Sequence, residues 1–559
     1  MPTAIPTRTL HALALTALVL GVTTARAQSL DATQAQIAAQ IPGADKLIGR
    51  SALRHGALRA LGALYAGNAD TPVWSRDGLP TGQAQAMVGQ LQDAEAYGLR
   101  AADYAAPDLA HLMDRARSQG PGHEEWLARF DLRLTAATLQ FICDLHFGRV
   151  SPEAAGFQLT EPREPFDLRQ ALVSLTATGD EQGAISALEP AFYHYKLLKE
   201  SLRRYRKLAL EPARAPLPAP SGTVKVGDNY AGAAALRHRL EVMGDLIEKP
   251  HPQADTVYDA DLSAGIRSYQ LRHGLTPDGN LGKGTLAALA VPLAQRIRQI
   301  DLTLERWRWL PPFKTPPIIV NIPQFRLFAF RTTEDRVADI LQMDVIVGKT
   351  FAHTQTPVFE GDMRYVVFRP YWDVPASITR KELLPKIRAN PGYLARERLE
   401  IVNGQSDTSP VVPATPENLE LLAAGRLRLR QQPGEDNALG LVKFMFPNSY
   451  NVYLHSTPAH ALFKETVRAF SHGCIRVSDP VSLATLVMKN APGQWSRERI
   501  EQVMNGQQAS VRVNLERPIQ VLILYATALA TEAGPVLFFQ DLYGYDRKLE
   551  QQLGLPPVR

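Results

Sequence analysis

Cysteine is scarce in this chain, with 2 among 559 residues, so neither is part of a disulfide scaffold of the kind small secreted domains use. One of them stands in Ser471-His472-Gly473-Cys474-Ile475-Arg476. Fifteen residues separate that run from His455 of an upstream Tyr453-Leu454-His455-Ser456. A thiol attacks carbonyl carbon only as thiolate, and a free thiol ionises near pH 8.5, so it needs a proton acceptor close by. His455 and His472 are both placed to be that base. The tetrahedral adduct also needs donors for its oxyanion. Gly473 has no side chain to obstruct substrate, and backbone amides around Gly473 and Cys474 can supply them. Amides at the start of a helix running toward Pro480 would lower the thiol pKa further.

Other readings of the same residues fit less well. His455, His460, His472 and Cys474 could ligate zinc, but one thiolate with scattered histidines fits zinc spacings poorly, and no His-Glu-x-x-His accompanies them. Papain-like thiol enzymes place cysteine before histidine, whereas here histidine comes first. An inert buried cysteine fits badly with so polar and flexible a run. Cys143 suits that description better: with Leu132, Ala136 and Leu139 it falls on one helical face, so no Cys143–Cys474 bridge is expected. The site as read requires no metal and no cofactor.

The elements that must position these residues fall into several units, as the length demands. At the start, Arg8 precedes an apolar run from Leu10 to Val22, followed by Ala25-Arg26-Ala27. This reads as a cleavable secretory signal over 1–27, too short to span a bilayer. Residues 28–212 show three- and four-residue apolar spacing and read as a helical domain. A proline-rich linker, 213–222, follows. Residues 223–293 read as three helices around a Gly274-Leu275 turn. A connecting helix over 294–315 leads into a β-rich region, 316–515, with an inserted helical and loop-rich cap at about 376–438. In 516–559, segments 520–525 and 536–541 read as a closing strand pair before a tail. The fold class is multidomain α+β. A net charge of +5 is too weak to argue for nucleic acid, and no later segment is long and apolar enough to cross a membrane.

His455, the fifteen-residue gap and Ser-His-Gly-Cys followed by Ile475 and Arg476 resemble the signature of the L,D-transpeptidase (YkuD-like) family, with Arg476 where the short form of the signature has asparagine. Three further runs, Leu304-Glu305-Arg306-Trp307-Arg308-Trp309-Leu310-Pro311, Tyr371-Trp372-Asp373-Val374-Pro375 and Lys443-Phe444-Met445-Phe446-Pro447-Asn448, resemble its large Gram-negative members. Those have a helical scaffold, a peptidoglycan-binding domain and a capping insertion. Tyr258-Asp259, Tyr269-Gln270, Gly274-Leu275, Asp278-Gly279 and Gly282…Thr285 are similar to the peptidoglycan-binding pattern.

The resemblance implies an exported, periplasmic enzyme acting on peptidoglycan stem peptides, possible partners being other cell-wall synthesis proteins. Cys474 would take an acyl group from a tetrapeptide stem, release D-alanine, and pass the group to a diaminopimelate amine as a 3→3 cross-link. It implies His455 as general acid/base, because some large members have serine in place of His472, which leaves His472 supporting. It implies the Ser456 carbonyl as the group that orients His455. Tyr453, Trp372, Arg476 and Ser471 would line the substrate groove, and carbapenems would acylate the thiol. Water as acceptor would make the protein an L,D-carboxypeptidase. A non-catalytic peptidoglycan anchor is the reading from outside enzymes.

Overall fold

A computed structural model of the chain describes residues 30–46, 54–67, 69–159, 166–177, 180–211, 216–247, 256–311, 313, 315–333, 340–351, 353–532 and 534–558. The expected signal over 1–27 and the linker residues 213–215 lie outside the described residues. The N-terminal region is helical. Its longest helix, His123–Phe147, is apolar on nearly every side, so it can only sit in the middle of a bundle, and it does. Cys143 lies on it, free and buried, its thiol pushed up to about 12 by loss of water.

Three helices, Ala233–Met243, Ala260–Arg272 and Lys283–Leu289, make the next unit. The recurring residues noted there bond mainly to one another. Gln270 donates to Asp278 Oδ1 at 2.8 Å and to Thr285 Oγ1 at 3.0 Å, and Tyr258 OH donates to the Gly279 carbonyl at 2.8 Å. Gly279 has φ +73°, where a Cβ would press on Ser263, so glycine is required at that turn. The unit docks through its second helix. Arg272 donates to the Val536 carbonyl at 3.2 Å, while His273 stacks between Tyr269 and Phe538.

The C-terminal half is built on strands β1 (Ile318–Asn321), β2 (Arg326–Phe330), β3 (Ile340–Gly348), β4 (Phe359–Phe368), β5 (Trp372–Asp373), β6 (Leu399–Val402), β7 (Val411–Val412), β8 (Arg428–Gln431), β9 (Val442–Met445), β10 (Leu454–His455), β11 (Ala469–Ser471), β12 (Ile475–Val477), β13 (Val511–Leu524), β14 (Ala528–Ala530) and β15 (Val536–Phe538). Nine of them form one sheet in the order β11-β3-β12-β10-β9-β4-β13-β1-β2, and a β2–β3 pairing curls it back on itself. Alternate residues such as Val345, Val347, Val366, Phe368, Leu454, Ile475 and Val521 fill its interior.

Two expectations are corrected here. Segment 520–525 does not pair with 536–541. It is the second half of β13, a central strand that runs antiparallel to β4 and parallel to β1, with its register broken between Asn514 and Ile519, where Pro518 has no N–H for the ladder. The terminal pair is β14 with β15. The cap is also more than helix and loop. It begins at Trp372 and contains a four-stranded sheet, β5-β8-β6-β7, over its own core of Leu383, Leu384, Ile387, Ile401, Leu422 and Leu429. Strands of two to four residues with sequences such as Arg-Leu-Arg-Gln carry too little periodicity to be read. Asn437, fully buried, closes the neck by donating to the Pro370 carbonyl at 3.2 Å and the Gln432 carbonyl at 2.9 Å.

The helix Leu293–Trp307 joins these units. Glu305 on it has no solvent exposure and accepts from the backbone N–H groups of Arg149, at 2.5 Å, and Val150, at 3.1 Å, and from Arg308 at 3.1 Å. Replacing Glu305 by Ala strips buried Arg308 of its counter-charge and leaves Arg149 only Asp103, with an expected loss of about 3–5 kcal/mol. Urea denaturation of the full chain measures it; a midpoint equal to that of the parent would contradict the assignment.

Candidate active site

His455 occupies a two-residue strand held between β9 and β12, so its backbone is fixed from both sides. The register sets Lys443 opposite it on one side and Arg476 on the other. Burial, then the charge of Arg476, with a smaller push from Lys443, drives its pKa down to about 3 against the pull of the Ser456 and Leu439 carbonyls. The ring is therefore neutral at neutral pH. Its Nδ1 lies 2.5 Å from the Ser456 carbonyl oxygen, which can only accept, so the proton sits on Nδ1 and Nε2 keeps a lone pair. Gly440 (φ +61°) leaves room for this arrangement: a Cβ there would stand 2.6 Å from Ser456 Oγ and 2.7 Å from the Thr457 nitrogen.

Cys474 is half-buried just before β12, and its thiol donates to the Asn451 carbonyl at 3.6 Å. Asn448 shapes the loop that brings this carbonyl in, donating to the Phe446 carbonyl at 2.6 Å and the Val452 carbonyl at 2.7 Å. Burial raises the thiol pKa, and hydrogen bonds from Tyr453 and the charge of Arg476 draw it back. The helix expected to lower it does not reach: β12 intervenes, and Pro480–Val487 is capped by its own Asp479. At rest the site holds a thiol and a neutral imidazole rather than an ion pair.

The loop around the nucleophile is tied down atom by atom. Ser471 Oγ donates to the Cys474 carbonyl at 2.5 Å and accepts from the Gly473 N–H at 3.1 Å. The Gly473 amide, expected to serve an oxyanion, is thus already spent on Ser471 Oγ. Cys474 N–H has no hydrogen bond among the described residues. Ser471 itself is 2% exposed and shapes the loop rather than lining a groove. Tyr453 stands with its ring edge-on to His455 at 5.7 Å, and its phenol pKa is raised well above the ordinary range by burial and then by Cys474. Arg476 is mostly buried, with no partner for Nε among the described residues. Trp372 belongs to the cap sheet and packs on the cap core.

His472 points away from the thiol toward the cap, where Nε2 lies 2.8 Å from Glu382 Oε1. Glu382 sits on a single π-helical turn, Thr379–Leu383, ninety residues earlier in the chain. Sequence reasoning missed Glu382, as it missed Thr356, whose Oγ1 donates to the Gly473 carbonyl at 2.8 Å. Neither stands near the motif in the chain, so no spacing could have marked them. Among the described residues, no group of three or more His, Cys, Asp or Glu is arranged to hold a metal.

Residues 316–494 match the family model described as "L,D-transpeptidase catalytic domain". The chain carries an L,D-transpeptidase catalytic domain of the YkuD family. Cys474 and His455 both fall inside it, as does the cap. Residues 230–289 match the "Putative peptidoglycan binding domain" and 59–202 the "Scaffold domain". A Haemophilus influenzae protein named "Putative L,D-transpeptidase" is 33% identical over 253 residues, 45% of this chain and 49% of that one, so the match spans about half of each. A crystal structure of the L,D-transpeptidase (residues 123–326) from Xylanimonas cellulosilytica aligns at 15% identity over 56% of this chain and 100% of that one, with a TM-score of 0.15, too low to support any argument.

A neutral pair in the L,D-transpeptidase domain has a measurable consequence. Cys143 is buried, so iodoacetamide reads Cys474 alone. Its alkylation rate is expected to climb with pH to the ordinary thiol range and beyond, since burial raises the thiol pKa. A rate already at plateau between about pH 6 and 8 would reveal a thiolate–imidazolium pair and contradict this assignment. The depressed pKa of His455 has its own sign. Between about 6.5 and about 3 the unfolded chain binds a proton that the native site refuses, so His455 costs stability increasingly as pH falls through that window. Replacing His455 by Gln should flatten the loss of thermal stability on acidification. An unchanged pH dependence of Tm would argue against a buried neutral ring.

Proposed function

We propose that the chain is a peptidoglycan L,D-transpeptidase that makes 3→3 cross-links in the cell wall. The observation that carries the reading is a neutral His455, its Nδ1 on the Ser456 carbonyl, on the strand paired with the one that follows a protonated Cys474, inside an L,D-transpeptidase domain. The thiol proton passes to His455 Nε2 as sulfur bonds to the carbonyl carbon between diaminopimelate and the terminal D-alanine. The Cys474 N–H, having no other partner among the described residues, faces the oxyanion, and the Tyr453 phenol lies alongside. As the C–N bond breaks, His455 protonates the leaving amine and D-alanine departs, leaving a thioester. The amine of a second diaminopimelate attacks it and gives up a proton, which passes through His455 to the departing sulfur. Each proton taken is returned, so the cycle needs no cofactor and no nucleotide.

Arg476, a half-buried cation next to the nucleophile with its Nε unpartnered among the described residues, suits a carboxylate of the stem peptide. The helical module at 230–289 would hold the polymer, and an exported, periplasmic location follows from that substrate. No helix of the described residues is long and apolar enough to cross a membrane. Other cell-wall synthesis proteins are the partners this role would bring. Purified protein incubated with tetrapeptide muropeptides is expected to yield 3→3 dimers and free D-alanine by mass spectrometry, and Cys474→Ala to abolish both, a fall of at least about 10³-fold. Tripeptide without dimer would make the protein an L,D-carboxypeptidase; dimers persisting in Cys474→Ala would sink the mechanism.

A further inference from the structure

The Gly473–Cys474 peptide is held from behind by residues distant in the chain. Thr356 is fully buried, and its Oγ1 donates to the Gly473 carbonyl at 2.8 Å while accepting from the Gly348 N–H at 2.9 Å. Tyr543 braces that junction: its hydroxyl donates to the Gly348 carbonyl at 2.6 Å and accepts from the Thr356 N–H at 3.3 Å. Tyr543 in turn is fixed through its own N–H, which donates to Tyr525 OH at 2.8 Å, and that hydroxyl donates to Asp541 at 2.7 Å. The 348–356 loop folds back so tightly that a Cβ on Gly348 would stand 2.0 Å from the Thr354 carbonyl oxygen. This junction has little freedom to shift.

In a trans peptide the carbonyl and the following N–H point in opposite directions. Pinning the Gly473 carbonyl on Thr356 therefore aims the Cys474 N–H the other way, away from the loop's interior. We propose that Thr356, braced by Tyr543, is a positioning residue that orients the Cys474 N–H as the oxyanion donor. Tyr543 lies beyond residues 316–494, so the C-terminal tail forms part of the catalytic apparatus. The inference rests on the acyl-transfer reading of Cys474.

Two probes on the full chain separate orientation of the peptide from integrity of the loop. Iodoacetamide alkylates sulfur by displacement at a saturated carbon and forms no oxyanion. p-Nitrophenyl acetate acylates it by addition to a carbonyl: sulfur bonds to the carbonyl carbon, nitrophenolate leaves, and the thiol proton goes to His455 or solvent. In Thr356→Val the alkylation rate is expected to stay near that of the parent while acylation of Cys474 falls about tenfold or more, since loss of a single oxyanion donor costs about 10²–10³. Thr356→Ser should restore acylation. Tyr543→Phe should shift the ratio of the two rates in the same direction by a smaller factor.

Parallel loss of both reactions in Thr356→Val and Tyr543→Phe would mean these residues merely hold the loop together, and the proposal would fail. It would fail equally if acylation were unchanged in both. A parent protein that alkylates but never acylates would overturn the acyl-transfer reading itself. That outcome is distinguishable because it appears before any substitution is made.

Discussion

A carboxylate with no exposure to water, Glu305, is the constraint on which the architecture turns. Burying such a charge costs several kcal/mol unless donors surround it, and here they come from the helical scaffold as backbone N–H groups and from Arg308 on the same helix. The same turn repeats the device with the charges reversed. Arg306 pairs with Asp546 of the C-terminal tail at 2.6 Å, and Arg308 donates to the Tyr97 carbonyl and to Tyr195 OH. These charges cannot be moved apart without stranding one of them in an apolar interior. The helix Leu293–Trp307 thereby fixes the scaffold, the catalytic sheet and the tail in one arrangement.

That arrangement reaches the nucleophile. Asp546, held by Arg306, also accepts from Thr527 at 2.7 Å, and the short segment before it carries Asp541 and Tyr543. Through Tyr543 and Thr356 the tail touches the back of the Gly473–Cys474 peptide. On the other side, Glu382 of the cap meets His472. The loop bearing the thiol is thus gripped by two elements, one before it and one after it in the sequence. A preorganised donor is useful only where it cannot swing away, and a glycine at φ +118° would be free to swing without such restraint.

Much of the site was legible before any coordinates. The spacing of His455 and Cys474 pointed to a thiol nucleophile and its base, because those residue types do little else in that order. The resemblance to the L,D-transpeptidase family favours His455 over His472 as the base; in the structure the first ring meets the Ser456 carbonyl and the second meets Glu382. The recurring residues in 223–293 were legible as a pattern, and Gln270 and Tyr258 show that its members bond mainly to one another. The failures were those of range and length. The cap strands are too short to show a period, and the partner of 520–525 lies across the sheet rather than next along the chain. The helix expected to acidify Cys474 was placed by proximity in sequence, and a strand stands between.

The sequence by itself determined a candidate nucleophile and a candidate base, the helical character of the N-terminal region and the existence of a β-rich unit around the motif. These depend on residue type and on periods of two to eleven residues, which a linear reading can see. Only the tertiary structure decided the protonation state of the pair, since that depends on how much water burial removes and on Arg476 and Lys443 flanking His455 across two strands. It alone decided which of the Gly473 and Cys474 amides is left without a partner among the described residues, because Ser471 takes the other. The cysteine can be read as a candidate nucleophile from its neighbours in the chain; the groups around it, Arg476 beside the thiol and Thr356 and Tyr543 behind the Gly473 carbonyl, are brought there only by the closure of the sheet.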